Sequence, residues 1–237
     1  MYNLTFEFSL EKLVQAIAYF SKAGVPDLTK LKIAKLLYFA DKEHLLEYGR
    51  PIIGDVYWCM DWGPVPSFAL NEMNEAIDRQ EVPLGTNSDA RLFTRVLNVK
   101  KLFYFHPRFE AKDEAYNPAV FSESELRSLG NVANSYGNRS AKELVNITHQ
   151  EPTWTIPNQG RPAGSRAPIT YDLFFVGAPE KSQRFLARLV AEQFGVAIPL
   201  KGDADYAAFA GELASYDFTS DEVGESETRR AGRYSRA

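Results

Sequence analysis

Residues 27–67 have the sequence DLTKLKIAKLLYFADKEHLLEYGRPIIGDVYWCMDWGPVPS, and this stretch decides the fold. Asp27 is able to cap a helix, because its carboxylate can accept hydrogen bonds from the free N–H groups of a first turn. Gly49 stands where helices commonly take a left-handed C-terminal residue, and Pro51 prevents continuation. No Gly or Pro lies between these signals. The pattern therefore predicts one long helix over about 27–48.

Apolar side chains cover more than half of the circumference of this helix when they are placed at about 100° per residue. A helix on a domain surface shows a narrower apolar stripe, so we expect a central helix that is covered on most sides. Asp41 and His44 lie inside the apolar sector. Buried polar groups need partners, so both should be hydrogen-bonded within the fold.

The remaining strip of the helix mixes lysines with large apolar residues. This combination is typical of a surface that binds a partner, and we expect the strip to be at least partly exposed. In the alternative, later helices of the chain cover the strip, and only the charged heads of the lysines reach solvent. The candidate contact residues are Lys32, Lys35, Phe39 and Lys42.

A rigid corner follows the helix. Gly63 can adopt a positive φ, and the prolines at 64 and 66 fix the backbone on either side of Val65. Such a corner can be purely structural, but it also presents an aromatic side chain at low entropic cost. Further candidates for partner contact are therefore Trp62, Gly63, Pro64 and Val65.

The remaining elements predict a mainly α (α+β) fold around the central helix. Residues 55–60, 91–97 and 101–106 are typical of strands, and we expect them to form a small antiparallel β element. Capping boxes at Ser122 and Ser140 predict two consecutive helices. Amphipathic patterns predict further helices over about 179–194 and 203–216. From residue 220 onwards apolar residues are scarce, which favours a mobile tail unless a partner holds it.

Composition is that of an ordinary globular protein. The chain has 237 residues, of which 45% are hydrophobic and 24% charged, and its net charge is −4. There is thus no global electrostatic case for nucleic acid or an anionic membrane. A single cysteine, Cys59, excludes an internal disulfide. We find neither an apolar run long enough for a membrane span nor a signal-peptide pattern, so we expect a cytoplasmic protein.

Catalytic motifs are missing from the sequence. We find no phosphate-binding loop, dinucleotide-binding motif, nucleophile elbow or metalloprotease motif, and therefore expect no enzyme, metal or cofactor. An enzyme remains an alternative only if Asp41, His44 and His149 meet in a polar cleft. The favoured interpretation gives these three residues structural roles, with His149 and Trp154 forming a clasp after the second capped helix.

Several short motifs, in a fixed order, resemble the Panacea domain, the family of the SocA antitoxin. The resemblance extends over about residues 10–175. It rests on the run KIAKLLYFA at 32–40, GRPI at 49–52, GD at 54–55 with Tyr57, WGPVP at 62–66, YG at 136–137, SA at 140–141, EL at 143–144, TH at 148–149 and Trp154.

The resemblance implies a largely helical domain and an antitoxin of a toxin–antitoxin module in a bacterium or phage, with a role in phage defence or as part of a prophage. Such a protein neutralises its toxin by direct contact. The alternative implied by SocA-like members is a proteolytic adaptor that delivers a toxin or another client to an ATP-dependent protease such as ClpXP. We expect a Panacea-like core over 1–178, a C-terminal helical extension packed on it over 179–218, and a mobile tail over 219–237. Direct nucleic-acid binding is not expected.

Overall fold

The computed structural model describes residues 2–78, 88–100 and 106–197. Within this part of the chain the fold is mainly α, as the sequence predicts. The helices are α1 (Leu10–Lys22), α2 (Lys30–Tyr48), α3 (Ser67–Asp78), α4 (Ser88–Val96), α5 (Glu123–Tyr136), α6 (Ala141–Thr148), α7 (Pro152–Thr155) and α8 (Glu180–Phe194). The strands are β1 (Tyr57–Met60), β2 (Gly63–Pro66), β3 (Leu97–Lys100), β4 (Arg108–Ala111) and β5 (Ala167–Ile169). Two separate small antiparallel sheets take the place of the single β element that was expected, because β1 does not pair with the later strands β3 and β4.

Helix α2 is the central helix that its pattern predicts. It packs against α3, α5, α6, α8 and β2, and most of its side chains are buried. Its C-terminal signal is confirmed, because Gly49 is left-handed, with φ of 78°, and its N–H donates to the Leu45 carbonyl. The central helix therefore organises the packing of elements that come from the whole described chain.

The predicted start of α2 is wrong by a few residues. The helix begins at Lys30, and the Thr29 side chain is its cap. Asp27 has a φ of 55° and pairs with Arg108 at 2.8 Å, while the Leu28 carbonyl accepts the Phe109 N–H. Residues 27–29 are held against β4 by these contacts, so the helix starts only after them.

One sheet has the order β2–β1–β5, and β1 is antiparallel to both neighbours. Strand β1 lies within the predicted 55–60 segment. Trp58, at its centre, pairs with Val65 of β2 on one side and with Pro168 of β5 on the other. The rigid corner is thus a true hairpin, and a strand from about a hundred residues later completes the sheet.

The strand prediction for 91–97 is wrong, because all of this segment except Leu97 lies in α4. Phe93, Val96 and Leu97 are buried, and their i, i+3, i+4 spacing is that of a helix. An antiparallel strand pair does follow, but further along the chain, where β3 pairs with β4. The predicted strand at 101–106 falls on residues 101–105, which lie outside the described residues, and on residue 106, which precedes β4.

Both predicted capping boxes are confirmed, at the starts of α5 and α6. Helix α8 packs on the end of α2, where the Ser182 hydroxyl donates to the Leu46 carbonyl at 2.8 Å. The ring of Phe185 lies so close to Gly49 that a Cβ there would be 2.8 Å away. The predicted helix at 203–216 and tail at 219–237 lie outside the described residues.

Candidate partner-binding surface

Trp62 is the most exposed of the large apolar side chains in the described part of the chain, at 63% of its maximum. It lies in the tight turn that connects β1 to β2, directly before Gly63. Gly63 has a φ of 92°, a value that residues with a Cβ rarely adopt. A Cβ there would also lie 2.6 Å from Thr148 Oγ1 and 2.8 Å from Lys35 Nζ. The corner therefore requires glycine both for its backbone and for its close contact with the core.

Lys35 supports the corner from the core side. Its side chain is completely buried, and its Nζ donates to the Pro64 carbonyl at 2.7 Å. The hydrogen-bonding pattern of β2 explains why this carbonyl is available. Because the Ser67 N–H donates to the Val56 carbonyl, the residues of β2 that form hydrogen bonds with β1 are Val65 and Gly63, and not Pro64. Pro64 thus directs its carbonyl away from β1 and towards α2. Burial lowers the pKa of Lys35 to about 7, which the nearby Cys59 only partly offsets.

The clasp formed by His149 and Trp154 supports the other side of the hairpin. The two rings are stacked, with centroids 3.8 Å apart. Trp154 Nε1 donates to the Met60 carbonyl at 2.8 Å, and the Cys59 thiol donates to the Trp154 carbonyl at 3.6 Å. Burial, and secondly the charge of Lys35, lowers the pKa of His149, so this ring is neutral near pH 7. The interpretation of these residues as a structural clasp agrees with this geometry.

An ion pair closes the end of the hairpin. Arg161 Nη2 donates to Asp61 Oδ1 at 2.6 Å, and the Gly164 N–H donates to Asp61 Oδ2 at 2.9 Å. The hydrogen bond from Arg161 is the main cause of the lowered pKa of Asp61. The residues on both sides of Trp62 are thus held by hydrogen bonds, while the indole of Trp62 is exposed to solvent.

The expected exposure of the lysine strip on α2 is wrong for three of its four residues. Lys32, Lys35 and Phe39 are 2%, 0% and 4% exposed. They are covered by the later helices α5 and α6, as the alternative interpretation expects, and also by strand β2. Phe39 stacks on Tyr136 at 4.1 Å, and Lys32 Nζ donates to the Pro26 carbonyl. Lys42 is partly exposed, as expected, and forms an ion pair with Glu151.

Asp41 and His44 are buried and hydrogen-bonded, as predicted. The Asp41 carboxylate accepts the N–H groups of Ile52 and Ile53, both at 2.8 Å, and the Tyr57 hydroxyl at 3.0 Å. Burial outweighs these bonds and raises its pKa to about 6. Asp41 therefore fixes the chain that leads from α2 into β1.

His44 Nδ1 donates to the Arg50 carbonyl at 2.7 Å, and its Nε2 lies 3.1 Å from the Ser124 hydroxyl. Burial lowers the pKa of His44, which keeps the ring neutral and leaves Nε2 as the acceptor. Asp41, His44 and His149 thus have separate sets of partners. The polar cleft required by the enzyme alternative is not formed by these three residues.

Asp55 is a structural residue that the sequence interpretation missed. Its carboxylate accepts the N–H groups of Phe68 and Ala69, at 2.8 and 2.7 Å, and so caps α3. Burial raises the pKa of Asp55 to about 7. Local capping rules did not find it, because the cap and the helix are separated by the whole hairpin.

Within residues 2–78, 88–100 and 106–197, no group of three His, Cys, Asp or Glu side chains could hold a metal ion. No helix of these segments is both long and apolar enough to cross a membrane. Trp62 is thus an exposed aromatic side chain on a turn that is held by hydrogen bonds, and such an arrangement suits contact with another protein.

Residues 33–155 match a family model described as antitoxin SocA-like, Panacea domain. The match covers more than half of the chain, and the protein belongs to this family. The matched segment begins within α2 and ends with α7, so it includes the hairpin and the clasp. An antitoxin family implies a toxin partner in general terms. Searches among curated proteins and among solved structures found no match.

Proposed function

We propose that this protein is a cytoplasmic antitoxin that neutralises a cognate toxin by direct protein contact, without catalysis. The observation that carries this proposal, beyond family membership, is the exposed indole of Trp62 on a fixed hairpin. A rigid aromatic side chain loses little conformational freedom on binding, and such residues dominate the energy of many interfaces. Trp62 is the anchor in this proposal, and Gly63, Pro64 and Val65 hold it in place.

Lys32, Lys35 and Phe39 have no direct contact with the toxin in this proposal, because they are buried. They support the surface from within the core. We further propose that residues 1–178 form the unit that carries the binding surface, with 179–218 as an extension on it. The adaptor alternative depends on the tail at 219–237, which lies outside the described residues.

Co-expression with the product of the adjacent gene tests this function. The neighbour should arrest growth when expressed alone, and the antitoxin should restore growth and bind the purified neighbour. Trp62→Ala should weaken this binding by about 2 kcal/mol or more, which is roughly thirtyfold in Kd. Phe194→Ala is the matched control, because Phe194 is also an exposed aromatic residue, at 44%, but lies at the end of α8.

The outcomes separate the function from its site. A neighbour that is harmless when expressed alone contradicts the antitoxin function. If the neighbour is toxic and Trp62→Ala binds it as tightly as wild type does, the function stands but Trp62 is not its anchor.

A further inference from the structure

The outward face of the β2–β1–β5 sheet is apolar, although an antiparallel sheet usually presents polar side chains to water. Side chains alternate between the two faces of a strand, and Tyr57 and Cys59 of β1 point into the core. Cross-strand pairs share a face, so the partners of Trp58 point outward with it. The outer sheet face therefore consists of Val56, Trp58, Met60, Val65 and Pro168.

The described part of the chain leaves this face partly open to solvent. Val56 is 47% exposed, whereas its neighbour Tyr57 is 1% exposed. Trp58, Met60 and Val65 are each partly exposed, and Pro168 is exposed. Trp62, in the turn at the end of the same hairpin, adds a further exposed apolar side chain. A surface of this kind is typical of a protein-binding site.

The edges of the sheet are closed to strand addition. Pro168 occupies the middle of β5 and has no N–H to offer a further strand. On the opposite edge, β2 carries two prolines and is covered by α2, with the Pro64 carbonyl bonded to Lys35. A partner must therefore bind to the side chains of the face and not to the backbone at its edges.

Arg166 places a cation at this surface. The guanidinium carbon of Arg166 lies 4.2 Å from the centroid of the Trp58 ring. Within the described segments no carboxylate forms an ion pair with Arg166, and Asp61, at the end of the hairpin, is paired with Arg161. Arg166 is exposed, so its N–H groups remain available to a carboxylate from outside.

We propose that the outer sheet face binds an apolar segment of the cognate toxin whose carboxylate pairs with Arg166. The inference rests on the proposed antitoxin function and adds the surface and the chemistry of the partner. The apolar contact supplies affinity, and the Arg166 pair fixes the orientation of the toxin segment.

The test compares matched substitutions in the full chain, with the purified product of the adjacent gene as the probe. Val56→Asn places a polar amide on the face, and Val176→Asn places the same amide at an exposed valine outside it. Arg166→Glu reverses the proposed charge, and Arg184→Glu reverses an exposed arginine of α8. Equal thermal midpoints in circular dichroism show that each variant is folded.

We expect Val56→Asn and Arg166→Glu to weaken binding at least tenfold and to lose growth rescue, whereas both controls keep wild-type affinity. Added NaCl should weaken the wild-type complex more than the Arg166→Glu complex, because only the former contains the ion pair. If wild type neutralises the neighbour and the two face variants do so equally well, the face is not the toxin site. A neighbour that wild type does not neutralise contradicts the antitoxin function itself.

Two other occupants of the face would overturn the proposal. A second copy of the chain would show as a wild-type dimer in light scattering that Val56→Asn converts to a monomer. Residues 198–237 of the same chain would show as faster proteolysis of that segment in Val56→Asn than in Val176→Asn, without any toxin present.

Discussion

Replacing Lys35 with methionine should remove a pH dependence of stability above neutral pH. The Lys35 side chain is fully buried, and burial lowers its pKa from an ordinary 10.5 to about 7. Between these pH values the unfolded chain binds a proton at Lys35 that the folded protein does not hold. The free energy of unfolding of wild type therefore rises with pH through this window, and falls as the pH is lowered towards 7.

The expected magnitude follows from the linkage between protons and folding. One proton corresponds to about 1.4 kcal/mol per pH unit, so Lys35 contributes roughly 3–4 kcal/mol between pH 7 and 10. Methionine does not titrate, but it leaves the Pro64 carbonyl without its donor, which costs about 1–3 kcal/mol. The variant should thus be less stable than wild type at pH 10 and at least as stable at pH 7.

Urea unfolding at pH 7, 8, 9 and 10 measures this effect. The difference between wild type and Lys35→Met cancels the titration of groups that do not interact with Lys35, and it should grow with pH. Lys181→Met is the control, because it replaces an exposed amine instead of a buried one. A difference between wild type and Lys35→Met that does not change with pH would refute the reasoning.

Two further substitutions, Gly63→Ala and Asp41→Ala, test the contacts that shape the hairpin and the chain that leads into it. Their controls are Gly177→Ala and Asp113→Ala. Gly177→Ala should cost about 1–2 kcal/mol in urea unfolding, because φ at Gly177 is 73° but the surrounding space is empty. Gly63→Ala should cost about 1–3 kcal/mol more, since its Cβ would also overlap with Thr148 and Lys35; equal losses would show that the close contact relaxes freely. Asp41→Ala should destabilise by about 1–3 kcal/mol through its orphaned N–H partners, against almost no change for the exposed Asp113→Ala. A loss at Asp41 no larger than that at Asp113 would contradict its role in holding the chain after α2.

Local signals predicted much of the fold correctly. The capping boxes and the C-terminal Gly49 depend on a few neighbouring residues, and the structure has all of them where the sequence puts them. The breadth of the apolar sector on α2 likewise indicated its central position. Asp41 and His44 could be expected to be hydrogen-bonded, because buried polar groups need partners whichever elements provide them.

Short segments and segments with distant partners were predicted less well. Residues 91–97 combine β-branched and aromatic residues with a helical spacing, and over seven residues the two signals are not separable. Asp27 has the chemistry of a cap, but contacts with β4 hold it outside the helix. The cap of α3 comes from Asp55, on the far side of the hairpin.

By itself, the sequence determined the family, the mainly helical class, the central helix and the rigid corner after it, because each depends on residue types at short, fixed spacings. Only the tertiary structure decided which of the two candidate surfaces is exposed. A lysine-rich strip can face solvent or be covered with its amines bonded to carbonyls, and the choice depends on where β2, α5 and α6 pack. Their packing against α2 buried Lys32, Lys35 and Phe39, whereas Trp62 is exposed and the outer sheet face is partly exposed in the part of the chain that the structure describes.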